Sequence, residues 1–190
     1  LKVIYNFCKS NDLYLFIDGA RLGSAIKASD DLTLKDMAKY SDVFYIGATK
    51  NGGLIGEAIV IKNDKLKENF RYQIKQKGGL LAKGRLLGIQ FLELFKDNLY
   101  FDLASKANGS ADKLRKGLKE IDCEFLVETK TNQLFPVFSN EIINELKKDF
   151  EFHIWEKIDN NKKVIRLVTS WATTDKMIDT FINKVKKIKS

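Results

Sequence analysis

Apolar residues recur with helical spacing at positions 1, 4, 7 and 8, which predicts a helix over Leu1 to Ser10 that Asn11-Asp12 ends. The continuous apolar run Leu13 to Ile17 predicts a buried strand whose C-terminal end opens into the polar tetrapeptide Asp18-Gly19-Ala20-Arg21. Thr33 to Tyr40 predicts a short helix capped by Thr33 or Asp31. Asp42 to Gly47 predicts a second buried strand, and Glu57 to Lys62 a third, on the far side of the glycine-rich stretch Ala48-Thr49-Lys50-Asn51-Gly52-Gly53. Helices are predicted over Asp64 to Lys77 and, after Gly78-Gly79, over Leu81 to Asp97.

From Tyr100 the pattern changes. A long amphipathic helix, Phe101 to Ile121, precedes predicted strands at Glu124 to Glu128 and Leu134 to Phe138, the second containing the only proline, Pro136. The rest predicts a helix (Asn140 to Lys148), strands at Glu151 to Trp155 and Val164 to Val168, and a closing helix from Thr174 to Lys187. Strands alternating with helices thus give way to an α+β layer, so the expected architecture is α/β in two parts, 1–97 and 98–190, the first beginning in mid-fold.

Composition narrows the chemistry. A single histidine, His153, removes triad hydrolysis and most zinc sites, and it is expected to be a partly buried strand residue. Two distant cysteines, Cys8 and Cys123, suit a reducing, cytoplasmic setting. No apolar run approaches the length of about 20 residues that a membrane helix needs. The opening LKVIYNFCKS has no signal-peptide pattern and no initiator methionine, and the chain is expected to have begun further upstream. A net charge of +8 raises nucleic acid as a partner, but 28 of the 33 basic residues are lysines spread over predicted helices. Only the stretch Phe70 to Arg85 interleaves aromatics with cations, so a basic binding module stands as an alternative and no nucleic-acid partner is expected.

The candidate chemistry lies at two strand ends. Asp18 follows the first strand and Lys50 the second, and their 32-residue separation suits one strand-helix-strand crossover that opens both side chains into one crevice. An ionised Asp and a nucleophilic Lys are the pair a pyridoxal phosphate enzyme requires: the amine binds the aldehyde and the carboxylate keeps the pyridine nitrogen protonated. On spacing alone the alternative stays open that Asp18 caps its turn and Lys50 is a solvated loop lysine.

The run LFIDGARLGSAI (Leu15 to Ile26) resembles the Asp-Gly-Ala-Arg motif of low-specificity L-threonine aldolases and related β-eliminating lyases, pyridoxal phosphate enzymes of fold type I. DVFYIGATKNGGLIGEAIVI (Asp42 to Ile61) resembles their lysine loop, with Thr-Lys-Asn-Gly in place of the more usual Ser-Lys-Gly, and KGGLLAKGRLLGIQFL and RLVTSWATT extend the resemblance in family order. The resemblance implies that Lys50 forms the Schiff base with pyridoxal 5'-phosphate, that Asp18 partners the ring nitrogen, and that Arg21 and Thr49 lie beside the cofactor. It implies that Arg166, with Arg21, grips the carboxylate of an amino-acid substrate, a role suited to a bidentate guanidinium. The phosphate contact falls among Lys75, Lys77, Lys83 and Arg85.

The implied activity is cleavage of a β-hydroxy amino acid such as threonine to glycine and an aldehyde, in a cytoplasmic homo-oligomer. An aminotransferase or another β-eliminating lyase is the alternative within the fold. The phosphate cradle and the stacking histidine that the family carries upstream of the Asp motif are not in these residues. The chain is therefore expected to match the C-terminal half of such an enzyme, the end of a mostly parallel large-domain sheet plus a small α+β domain, and to be poorly active alone. By the same resemblance the strand Glu57 to Lys62 is the antiparallel member of its sheet.

Overall fold

In the computed structural model, which describes residues 1–190, β1 (Phe16–Ile17) runs parallel to β2 (Val43–Gly47), and β3 (Glu57–Ile61) pairs with β2 antiparallel, as expected. The chain divides into two compact units, Leu1–Asp102 and Leu103–Ser190, so the division falls at 102 where the sequence placed it at 97.

The first unit is organised around Asp42, at the foot of β2. Its side chain is 4 % exposed and is bonded at both oxygens to Lys9 Nζ at 2.7 Å, where α1 (Lys2–Ser10) ends. The same carboxylate accepts the Leu15 N–H at 2.8 Å and Asn63 Nδ2 at 2.9 Å, so one buried charge joins α1, the approach to β1 and the exit of β3. Burial works to raise its carboxyl, but the bonds from Lys9, Asn63 and Leu15 outweigh that and hold it below the usual range.

The crossover from β1 to β2 holds two short helices. One, α2 (Leu22–Lys27), escaped the sequence reading because its six residues include a glycine and show no period, yet Leu22, Gly23, Ser24 and Ile26 are buried. The other, α3 (Leu34–Lys39), opens with the expected Thr33 cap, closed into a capping box by Asp36.

Several expectations fail for local reasons. The strand predicted over Leu13 to Ile17 is reduced to two residues at the sheet edge, with Leu13, Tyr14 and Phe16 exposed: apolar character shows what a segment demands, and no element of this chain covers that face. The helical stripe of α1 is right in period, but Ile4 and Phe7 are likewise exposed. The predicted helix Asp64 to Lys77 breaks at Asn69 (φ 56°) into a single 3₁₀ turn and α4 (Phe70–Gln76). The next, α5 (Arg85–Phe95), starts later than predicted and ends ahead of Asp97 and Asn98, which sit at φ 51° and 63°, the left-handed region that these residue types tolerate.

In the second unit, β7 (Lys162–Val168) is the central strand. One edge carries β4 (Gln133–Leu134) and β5 (Val137–Ser139), the other β6 (His153–Lys157), all antiparallel. Pro136 has no N–H to donate, which splits the predicted strand Leu134 to Phe138 into β4 and β5. The strand predicted at Glu124 to Glu128 is only a bridge between Phe125 and Pro136 for the same lack of a regular partner. Three helices cover one face: α6 (Leu99–Lys119), which begins in the first unit, α7 (Asn140–Leu146) and α8 (Asp175–Lys189). Leu114, Leu118, Ile143, Leu146, Phe181 and Val185 pack there on Leu134, Phe138 and Ile165. All five residues of β6 are exposed, His153 included, which corrects its expected partial burial: β6 lies at the sheet edge. No helix is long and apolar enough to cross a membrane.

Asp42→Asn is expected to lower the stability of the first unit by about 1–3 kcal/mol, because an amide turns a donor toward groups that now share a carboxylate. Both tryptophans lie in the second unit, so the readout is amide exchange in β2 and β3. The folded carboxyl lies below its unfolded value, so its stabilisation is complete above about pH 4 and is lost as pH falls through the folded value. The variant is expected to lack that acid-side loss.

Candidate active site

Strand ends that meet without side chains create the site. A Cβ on Gly19 would lie 1.6 Å from the Tyr45 carbonyl oxygen, and one on Gly47 would lie 2.8 Å from Ala20 Cα. Only glycine permits this approach, which the Gly47 N–H seals by donating to the Gly19 carbonyl at 3.0 Å. The parallel register places Ile17 opposite Phe44, so the next residue on each strand, Asp18 and Tyr45, come together.

The exposed Asp18 carboxylate accepts a short hydrogen bond from the Tyr45 hydroxyl and another from the Ala20 N–H at 3.0 Å. Tyr45 first, then Ala20, then the Lys50 ammonium and the Arg21 guanidinium hold Asp18 below the usual carboxylate range, against a partial desolvation. Reciprocally, Asp18, with some burial and the nearby Glu57, pushes the Tyr45 phenol up to about 12. Asp18 does cap its own turn, as the plain structural alternative had it, and Lys50 and Arg21 nonetheless act on the same carboxylate.

Lys50 projects from a closed loop between β2 and β3. The Ala48 carbonyl accepts the N–H groups of both Asn51 and Gly53 at 2.9 Å, and the Ala48 N–H donates to the Gly56 carbonyl at 3.3 Å. Gly52 and Gly56 stand at φ 99° and 104°, which only glycine adopts without strain. Thr49 and Lys50 are exposed, but the next residue, Asn51, is buried and its Nδ2 donates to the Tyr100 carbonyl at 2.6 Å. Tyr100 is itself fully buried. Its hydroxyl accepts from the Gly23 N–H at 3.1 Å and donates to the Gly47 carbonyl at 3.2 Å, and burial pushes the phenol up to about 12. One tyrosine thereby ties α2, the end of β2 and the lysine loop together.

Arg21 is half-buried just ahead of α2. Lys75, Lys77, Lys83 and Arg85 are all exposed, along the end of α4 and the approach to α5. In the second unit, Arg166 lies on β7 opposite His153, its guanidinium 5.5 Å from the Trp155 ring centre and its buried Nε without a hydrogen-bond partner. Sequence reasoning missed Tyr45, Asn51 and Tyr100. Tyr45 was within reach through the register, whereas Asn51 and Tyr100 act on backbone atoms far away in sequence and leave no local signal.

The Tyr45 phenol is expected to ionise near pH 12 in an ultraviolet difference titration of the protein against Tyr45→Phe. In the Asp18→Asn background the same titration is expected to move down toward the ordinary value of about 10.

The family model for β-eliminating lyases matches residues 1–141. The low specificity L-threonine aldolase of Pseudomonas sp. (strain NCIMB 10558) is 30% identical over 196 aligned residues, which take in 100% of this chain and 55% of that protein. The structure of the Leishmania major threonine aldolase superposes with a TM-score of 0.95 at 46% identity, covering 100% of this chain and 56% of that one. The serine palmitoyltransferase of Sphingomonas wittichii, at 11% identity and a TM-score of 0.71 over 99% of this chain and 50% of that one, shares the fold alone. That fold is fold type I, as the sequence led us to expect. The chain spans about half the length of the curated relatives it matches. With most of its length matched, and with the Asp18 and Lys50 strand ends inside the matched region, the chain belongs to the β-eliminating lyase family.

Proposed function

We propose that the protein is a pyridoxal 5'-phosphate-dependent lyase that splits β-hydroxy amino acids of the L-threonine and L-allo-threonine type between Cα and Cβ, giving glycine and an aldehyde. The observation that carries this reading is the exposed Asp18 carboxylate, held ionised and acted on by both Lys50 and Arg21. The residues fit the cofactor. Asp18 keeps its charge because its nearest partners, Tyr45 and the Ala20 N–H, are neutral donors that orient it without cancelling it.

When bound, pyridoxal phosphate supplies an aldehyde that takes up amines and a ring that accepts the electron pair released at Cα. Asp18 holds a proton on the ring nitrogen. Lys50, on a loop whose base is fixed at Ala48 and Asn51, would hold the cofactor through its side-chain amine. Thr49 stands beside it. Arg21 serves the cofactor and the substrate carboxylate. Arg166 would offer a substrate carboxylate a guanidinium whose Nε has no hydrogen-bond partner and which lies 5.5 Å from the Trp155 ring centre. Lys75, Lys77, Lys83 and Arg85 are the cations open to the phosphate. The protein acts as a cytoplasmic homo-oligomer, and its cysteines, Cys8 and Cys123, are free.

Incubation with pyridoxal phosphate, borohydride reduction and peptide mass mapping are expected to place the label on Lys50 in preference to the other lysines. Labelling that merely follows exposure would overturn the assignment. In a protein of the relatives' full length, Asp18→Ala is expected to cut threonine cleavage by about 10²-fold or more while cofactor retention falls far less. Equal loss of both would remove the proton-holding role. Glycine plus aldehyde as products supports the lyase; a keto acid or ammonia would assign an aminotransferase or a β-elimination instead.

A further inference from the structure

The lysine loop leaves its turn through a strap, residues 53–56, that leads down to β3. Gln90, midway along α5 and within the segment KGGLLAKGRLLGIQFL, grips that strap. Its Oε1 accepts the N–H groups of Leu54 at 2.7 Å and Ile55 at 3.1 Å, and its Nε2 donates to the Ile55 carbonyl at 3.0 Å and to the Leu86 carbonyl at 3.2 Å. Two adjacent backbone donors settle which end of the amide faces them, since only its oxygen accepts.

Apolar burial does not hold the strap. Leu54 is 91% exposed and Ile55 58%, so the backbone bonds to Gln90 do the holding. A second contact comes from the same helix face: a Cβ on Gly56 would lie 3.0 Å from Leu87 Cδ2, and Leu87 is one turn before Gln90.

We infer that Gln90 is a positioning residue for Lys50, fixing the outer arm of the loop whose inner arm Asn51 fixes on Tyr100. The inference rests on the reading of Lys50 as the reactive amine. Without Gln90 the arm contains Gly52, Gly53 and Gly56 and no side-chain anchor between Asn51 and β3, so the Lys50 backbone samples a wider range of positions. A nucleophile whose base wanders loses the orientation that bound-state chemistry depends on. With both arms fixed, motion is left to the lysine side chain.

The test compares wild type, Gln90→Ala and Gln90→Glu by residue-resolved amide exchange and by the borohydride labelling of Lys50. In Gln90→Ala, exchange is expected to rise about 5- to 30-fold at Leu54 and Ile55 and also at Asn51 and Gly53, the two donors to the Ala48 carbonyl, while β2 and β3 keep their protection. The share of label on Lys50 is expected to fall in the same variant. Gln90→Glu keeps the acceptor for the Leu54 and Ile55 N–H groups but turns an oxygen toward the Ile55 and Leu86 carbonyls, and is expected to restore both readouts in part. Faster exchange confined to Leu54 and Ile55 with labelling unchanged would overturn the inference, and so would loosening that spreads through β2 and β3. If wild type shows no preference for Lys50, the reading of the lysine fails, while exchange at Asn51 and Gly53 still decides whether Gln90 sets its turn.

Discussion

The site in the first unit depends on a constraint that involves almost no side-chain atoms: the ends of β1 and β2 press together at Gly19 and Gly47, where a methyl group has no room. From that contact everything at the site takes its place. Asp18 meets Tyr45 because the strands touch one residue further along, and Lys50 follows because its loop leaves directly from Gly47 and Ala48. Tyr100 then locks the contact from behind through the Gly23 N–H and the Gly47 carbonyl. A loop that must hold a mobile lysine in a constant place gains by such anchoring, since the glycines that let it turn give it no stiffness of their own.

Two aspartates in the same sheet show how environment separates structure from chemistry. Asp42 is buried and gives its charge to Lys9, with every remaining bond directed at the backbone or at Asn63. Its charge is consumed in joining elements. Asp18 is exposed and is oriented chiefly by a phenol that stays protonated until about pH 12 and by one N–H. Its charge remains available to a cation outside the chain, and Lys50 and Arg21 act on it from nearby. A carboxylate that is both ionised and unspent is what a protonated heterocycle needs opposite its nitrogen.

Much of this was legible in the sequence. Helical spacing gave the helices of the second unit and buried apolar runs the strands of the first, β1 only as a two-residue remnant, and the motifs around Asp18 and Lys50 gave the two groups that the structure brings into one electrostatic neighbourhood. What escaped has a common cause. Asn69, Asp97 and Asn98 interrupt the predicted helices by adopting positive φ, a choice that residue identity permits but does not force. Leu13, Tyr14 and Phe16 are apolar enough for a core, and their exposure depends on what lies over them, which their own sequence does not record. Tyr45, Asn51, Tyr100 and Gln90 bond to partners distant in the chain, so each is an ordinary residue until the fold supplies its partner.

Arg166 sets stability against binding capacity. The Arg166 guanidinium lies 5.5 Å from the Trp155 ring centre, within cation–π range, and its buried Nε has no partner. An unmet buried donor costs about 1–3 kcal/mol, a sizeable share of the stability of a small unit. Tolerating that cost is physically reasonable where an incoming anion satisfies the donor, since a guanidinium can meet two carboxylate oxygens at once. A lysine at the same position loses the planar fork, and with it the match to two carboxylate oxygens at once, even though its charge is equal. What sets Arg166 apart is therefore a shape that only arginine supplies, rather than positive charge, which this chain has in excess throughout.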